Sequence, residues 1–327
     1  LLGTKAILIE GAIRYLQIYS FGLPAAALYN FGNAVFSAAG DTRKPLYILV
    51  AAGILNVVLN LFFVIVCHLA EAGVALASAI SQWLSAGLVL FFLHRVHDSY
   101  GLNLHGVRFH ASKVRLILPL GLSAAAQNAI FATANLFIQS GVNTFDAVIV
   151  EGTAAAANAD SLVYDVMAAI YTACSSFMSQ NYGAGKRKRM LHSYLVALGY
   201  SLGIGLIFGI SLALFGRGFL RIFATDADVI EAGLVRLQLM GFCYGFSAFM
   251  DCTIAASRGL GKSIIPTIIV VLGSCVFRVA WVYTIFAYFN TIMSLYLVYI
   301  FSWTLTAIAE IIYFIHIYRG IAKRLGA

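Results

Sequence analysis

Apolar residues in this chain fall in long continuous runs, separated by short polar stretches, with no sustained alternation of apolar and polar positions. Continuous runs predict helices rather than the alternating strands of a barrel. About 20 apolar residues cross the hydrocarbon core of a bilayer. A backbone in lipid must also satisfy its own hydrogen bonds, as a helix does. Nine runs meet that length: Leu16–Ala39, Pro45–Cys67, Ala72–Leu93, Leu116–Gln139, Thr153–Met178, Leu191–Phe215, Leu234–Ala256, Ile264–Tyr288 and Ile292–Tyr318. The fourth and fifth carry internal polar groups, namely Gln127, Asn128 and Asn135, then Asp160 and Asp165. The pattern predicts an all-α integral membrane protein of about nine transmembrane helices.

Composition agrees. Of 327 residues, 61% are hydrophobic and only 10% charged, whereas soluble domains carry about 25% charged residues. The net charge of +8 raises nucleic-acid binding as a class, but the placement of the charges excludes it. If the connectors alternate sides, one side holds 15 of the 21 basic residues, among them Arg43, Lys44 and Lys186 to Arg189. The other side holds Lys5, Arg14, Arg217, Arg221 and Arg236, and only Arg278 is assigned to a span interior. The basic side is the cytoplasmic one, which places the C-terminus inside and residue 1 outside. The run Lys186 to Arg189 reads as a topology signal that meets anionic lipid. Cys67, Cys174, Cys243, Cys252 and Cys275 lie in or at the ends of spans, without metal-ligand spacing, and no disulfide is expected. No secretory signal peptide is visible. A start at Leu1, outside the membrane and before an odd number of spans, predicts an N-terminally truncated chain.

The chain repeats itself. A shift of 221 residues lays the first span on the seventh and gives ten identities over Leu16–Asn60, among them Gln17/Gln238, Gly40/Gly261 and Pro45/Pro266. Gly and Pro bracket a short basic turn in both copies, as expected where one helix ends and the next begins. Spans one to three thus match spans seven to nine, and spans four to six have no partner. A six-helix unit in two parallel copies follows, with the first lobe incomplete. Residues 1–96 form a partial N-terminal lobe of three helices. Residues 97–113 form a polar cytoplasmic linker with Asp98, Asn103, His105 and His110. Residues 114–327 form a C-terminal lobe of six helices.

Three loops then carry a resemblance. Ser179-Gln180-Asn181-Tyr182-Gly183-Ala184-Gly185-Lys186 resembles the loop after the eighth helix of the multidrug and toxic compound extrusion family. Ala39-Gly40-Asp41-Thr42-Arg43-Lys44-Pro45 is similar to the loop after its fourth helix. Arg258 to Ser263 with Pro266 is similar to the loop after its tenth. Leu136 to Ser140, and Cys275 to Arg278 with Trp281, resemble one bacterial branch. The resemblance implies twelve helices in two lobes around a central cavity, of which this chain would hold helices four to twelve. It also implies export of organic cations and other amphipathic compounds in exchange for sodium ions or protons, from a bacterial inner membrane. Three positions depart from the family pattern: Gln127 replaces a seventh-helix glutamate, and Asp160 and Asp251 replace glutamates of the eighth and tenth helices.

Four acids fall within the spans, Asp160, Asp165, Asp251 and Glu310. An ionisable residue at the centre of a membrane helix costs about 2.5–3.5 kcal/mol on insertion scales, and such residues usually serve function. A carboxylate that binds either a cation or a proton couples the two, so a sodium site is assigned to Asp160 or Asp251. Asp160, Tyr164, Met167, Tyr171, Cys174 and Met178 share one helix face. Acid, ring and thioether together suit a lipophilic cation, and the same face also fits helix packing. Asp165 lies about 140° round the helix from Asp160. Asp251 shares a face with Tyr244, and Arg278 is its candidate ion-pair partner. Glu310 follows Thr306 by one turn. Asn128, Asn135 and Gln139 line a cavity or hold helices together.

Other chemistries fail on their motifs. Gly259-Leu260-Gly261-Lys262-Ser263 ends like a P-loop, but Ala256 stands where the pattern needs Gly. Neither a catalytic metal pattern nor a Gly-x-Ser-x-Gly elbow is present, so no enzyme is expected. The expected partners are the lipid bilayer and small organic cations, with no nucleic acid and a monomeric state. No cofactor is expected beyond the coupling ion, Na+ or H+. Four acids against one Arg in the spans favour cationic cargo. The alternatives are a flippase for lipid-linked oligosaccharide and an inactive remnant.

Overall fold

The computed structural model describes residues 6–103, 106, 108 and 110–324. Lys5 and His105 lie outside the described residues. Among the described residues there are nine long helices: α1 (Ala6–Ala38), α2 (Arg43–Val66), α3 (Ala70–His94), α4 (Ala111–Val142), α5 (Ala147–Gly183), α6 (Arg187–Leu220), α7 (Ala227–Gly259), α8 (Ile264–Phe289) and α9 (Ile292–Arg324). The chain divides into two compact units, Leu1–Phe109 and His110–Ala327.

Eight of the nine helices, α2 to α9, are long and apolar enough to cross a membrane. The first, α1, differs from the sequence expectation. Its 33 residues give ample length, but Gln17, Asn30 and Asn33 dilute its apolar character. The helices also run beyond most of the predicted bounds, because polar turns at their ends continue the backbone ladder outside the apolar stretch.

The repeat is visible in the backbone. Adding 221 to the bounds of α1 gives those of α7, and adding it to Arg43 gives Ile264, the first residue of α8. Gly40 ends the first helix at φ +86° and Gly261 ends the seventh at φ +73°. Only glycine adopts that conformation without penalty. The following amide returns in both copies, from Asp41 to Phe36 O at 2.9 Å and from Lys262 to Ser257 O at 3.0 Å, which closes a Schellman-type end. Pro45 and Pro266 each stand third in the next helix, where a missing N–H leaves no intrahelical bond unmade.

Small residues bring the C-terminal unit together. Gly209 of α6 faces Gly241 of α7 so closely that a Cβ on either would strike the other's backbone. Gly152 of α5 and Gly233 of α7 meet in the same way. Such contacts let membrane helices approach backbone to backbone. Helix α7 is accordingly the hub of the unit, packed on α5, α6 and α9. Helix α8 is α-helical at Phe277–Trp281, between π-helical turns at Val271–Val276 and Val282–Phe286. Arg278 stands in the α-helical turn between them, and π-turns of this kind recur at functional sites.

Candidate binding cavity

A cavity of about 480 Å³ opens within the C-terminal unit among α4, α5, α7, α8 and α9. Helix α7 supplies one wall through Arg236, Met240, Tyr244, Ser247 and Asp251, spaced by three or four residues on one face. Helix α5 adds Asp160, Tyr164 and Met167. Helix α4 adds Gln127, Asn128, Phe131 and Asn135, α8 adds Arg278, and α9 adds Tyr299 and Trp303.

Asp160 is the best-bound acid. It accepts from Arg236 Nη2 at 2.5 Å and from Tyr244 Oη at 2.5 Å. The arginine side chain is 8% exposed and the aspartate 22%, so the pair is largely withdrawn from solvent. The guanidinium of Arg236 also lies over the rings of Tyr296, at 5.3 Å, and Tyr299, at 5.5 Å. This corrects the assignment of Arg236 to an outer connector. It projects from the third turn of α7's inward face, because the helix begins seven residues before the apolar run does.

Arg278 is buried, and no described acid lies within salt-bridge distance of it. Its Nε donates to Ser302 Oγ at 3.2 Å and its Nη1 to Asn135 Oδ1 at 3.1 Å. The rings of Phe131, Tyr299 and Trp303 surround it at 4.7, 4.8 and 5.9 Å. The expected Arg278–Asp251 ion pair is not formed. Among the described residues, Asp251 is half-buried and has no salt bridge or side-chain hydrogen bond. The rings and Ser302 hold the guanidinium on the α4 and α9 side, where neutral acceptors meet it.

The remaining candidates separate. Gln127 Oε1 accepts from Arg258 Nη2 at 2.6 Å and Thr267 Oγ1 at 3.3 Å, so its carbonyl is already committed. Asn128 lines the cavity, exposed, whereas Gln139 lies outside it and donates to Asn143 at 2.9 Å. The stripe from Asp160 leaves the cavity after Met167. Tyr171, Cys174 and Met178 are buried in the core against α7 and α6. Asp165 is exposed on another face. Glu310 is fully buried, outside the cavity wall, and neither carboxylate oxygen has a hydrogen-bond partner among the described residues. Thr306 does not serve it, since its hydroxyl meets Ser274 Oγ at 3.0 Å and Ser302 O at 2.7 Å.

Sequence reasoning missed Arg236, Tyr299 and Trp303 as cavity residues. The spacing Arg236, Met240, Tyr244, Asp251 was the available signal for the first. The cavity wall therefore carries two carboxylates, Asp160 and Asp251, and two guanidiniums, Arg236 and Arg278. That corrects the count of acids against a single arginine.

The sequence profile of the MatE family matches residues 119–284, half of the chain. The chain belongs to the MatE family. The profile of the lipid II flippase MurJ matches residues 9–150, a smaller part. Among curated MatE-like relatives, the probable multidrug resistance protein YpnP of Bacillus subtilis is 30% identical over 246 residues, covering 75% of this chain and 55% of that protein. The FAD transporter of Shewanella oneidensis is 28% identical over 239 residues, covering 71% and 52%. The chain thus spans about half the length of these curated relatives. An outward-facing multidrug resistance MATE family transporter of the MOP superfamily has the same fold, with a TM-score of 0.89 at 20% identity over 98% of this chain and 72% of that one. The all-α multi-pass membrane architecture of the family is the architecture of this chain.

Proposed function

We propose that this chain carries the C-terminal cargo and coupling site of a secondary transporter that exports cationic, amphipathic organic compounds in exchange for Na+ or H+. The observation that carries this reading is the cavity, in which a carboxylate without a salt bridge among the described residues, Asp251, stands among aromatic and thioether side chains. Such a wall attracts a lipophilic cation through charge, ring faces and soft packing. A proton or sodium ion competes for the same carboxylate, which couples cargo release to ion entry. Asp160 differs, because Arg236 and Tyr244 already hold it. It serves as a positioning group, and as an ion site only if that pair opens. The C-terminus lies in the cytoplasm in this reading, since the basic loops must face inward. The protein acts as a monomer in the bacterial inner membrane.

Ethidium efflux from drug-sensitive bacteria tests the proposal, with sodium and proton gradients collapsed separately. Asp251→Asn at equal expression should abolish gradient-dependent efflux. Normal efflux in that variant would remove Asp251 from the coupling step.

A second reading, a flippase for lipid-linked cargo, draws on the MurJ match and on the two cavity arginines. Movement of a fluorescent polyprenyl-linked lipid in place of ethidium would favour it.

A further inference from the structure

The cavity wall is charged at two unpaired points, and only one of them suits a cation. The Asp160–Arg236 pair compensates itself. Among the described residues, Asp251 has no ion pair, and the acceptors that meet Arg278 are neutral oxygens of Ser302 and Asn135. Arg278 is 1% exposed, and its Nη2 has no hydrogen-bond partner among the described residues. A buried guanidinium left with an idle N–H donor and no carboxylate within salt-bridge distance carries a large desolvation cost, which the longer-range attraction of Asp251 only partly offsets. Its three flanking rings lower that cost but cannot cancel the charge. A second guanidinium, Arg236, lies across the shared ring of Tyr299, at 5.5 Å against 4.8 Å for Arg278. Asp160 balances Arg236, so the positive charge left at this end of the cavity is that of Arg278, in an aromatic surround.

We propose that Arg278 is an anion-binding subsite of the cargo cavity. It would take the carboxylate or phosphate of an aromatic compound whose cationic part is read by Asp251, so that the preferred cargo is an amphipathic zwitterion. The assignment rests on the export reading above, in that the cavity is taken to hold cargo. The idle Nη2 and the fork of the guanidinium suit a planar oxyanion. The rings of Tyr299 and Trp303 stack on the aromatic body beside it. Asn135 fixes the fork from α4, as a positioning residue.

The test uses one dye in two forms. Rhodamine B carries a delocalised cation and a free carboxylate, and rhodamine B ethyl ester is the same dye with that carboxylate blocked. Binding of each to the purified chain, in nanodiscs of uncharged phosphatidylcholine, is read by fluorescence polarisation. The free acid should bind about tenfold more tightly than the ester, as one charge-assisted hydrogen bond predicts. Arg278→Gln should erase that preference by weakening the acid about tenfold and leaving the ester within about twofold. Arg278→Lys, which keeps the charge but not the fork, should retain part of the preference. Asp251→Asn should weaken both dyes alike. If the wild-type chain binds the ester as tightly as the acid, the anion subsite is overturned and the export reading survives. That comparison needs no variant, so a misfolded Arg278→Gln protein leaves it standing. Equal weakening of both dyes by Arg278→Gln would also overturn the subsite. If neither dye binds, both readings fail together.

Discussion

Helices α4 and α7 are nearly the same in bulk character and opposite in surroundings. Their most apolar 18-residue windows have mean hydropathies of 1.4 and 1.3. Yet none of that window is buried in α4, and 72% of it is buried in α7. Hydropathy reports transfer out of water, and it is blind to whether the new surroundings are lipid or protein. The placement of the small residues separates the two. Helix α7 sets Gly233, Gly241 and Gly259 against the backbones of Gly152, Gly209 and Ser175, and it adds Ser247, Thr253 and Ser257 to a buried surface. Helix α4 presents Leu116, Ile117, Leu118, Leu120 and Leu122, all more than 40% exposed. Large branched side chains match the lipid tails, and small ones admit another backbone.

The comparison breaks most sharply at glycine. Gly241→Leu places a side chain against the backbone of Gly209, which has no flexible end to move aside. A loss of about 3 kcal/mol or more is expected, since overpacking of a rigid contact is among the costliest single changes. A Cβ at Gly121 in α4 meets nothing within 4 Å, and Gly121→Leu should leave stability almost unchanged. Thermal unfolding of the purified protein in nanodiscs, followed by tryptophan fluorescence, ranks the two. A Gly241→Leu protein as stable as wild type would mean that α6 and α7 do not meet as described.

The next effect is electrostatic. Arg236→Met strands Asp160 with Tyr244 alone, and breaking a buried pair costs about 3 kcal/mol. Replacing both partners, as Arg236→Met with Asp160→Leu, should recover most of that loss, because two desolvated charges disappear together. If the double variant is no more stable than the single, the pair does not exist as a unit and Asp160 is held by other groups.

What the sequence disclosed follows the same division. The spans, the hairpin turns and the repeat were legible because each depends on local rules: a run of apolar residues, a Gly at positive φ, a Pro in a first turn. The displacement of α1 onto α7 could be counted from residues alone, and the backbone keeps it to the residue. The charge pairing was not legible. Asp251 was matched to Arg278 because both are charged and sit in consecutive spans. The partner of Asp160 is set instead by the close approach of α5 to α7 at Gly152 and Gly233, a tertiary fact. Tyr171 shows the same limit. It shares a helical face with Asp160, but the cavity ends before it does, and periodicity alone does not say where a cavity stops.

A smaller effect sharpens the comparison on the α5–α9 side. Tyr296 Oη and Thr153 Oγ1 lie 2.6 Å apart in a buried contact, and Thr153 also donates to Ile149 O at 2.7 Å. Tyr296→Phe therefore leaves Thr153 with a partner and should cost only about 1 kcal/mol. Thr153→Val should cost about as much by leaving the phenol unmet. A far larger loss in Tyr296→Phe would mean that the phenol supports Arg236, over which its ring lies.

The smallest effect belongs to the surface turn between α1 and α2. Lys44 Nζ stands 2.9 Å from Asp41, and it holds the carboxyl of Asp41 below its ordinary value. A depressed carboxyl contributes stability above its unfolded pKa and loses that contribution as pH falls through the folded value. Asp41→Asn should thus change stability slightly at neutral pH and not at all in acid, where wild type has also lost the charge. The pair is partly exposed and screened, so added salt should shrink even the neutral difference. Unfolding scans of both proteins at neutral and acid pH, with and without salt, decide it. A difference that persists in acid would show that Asp41 acts through its hydrogen bond to the Lys44 amide, at 3.4 Å, and not through charge.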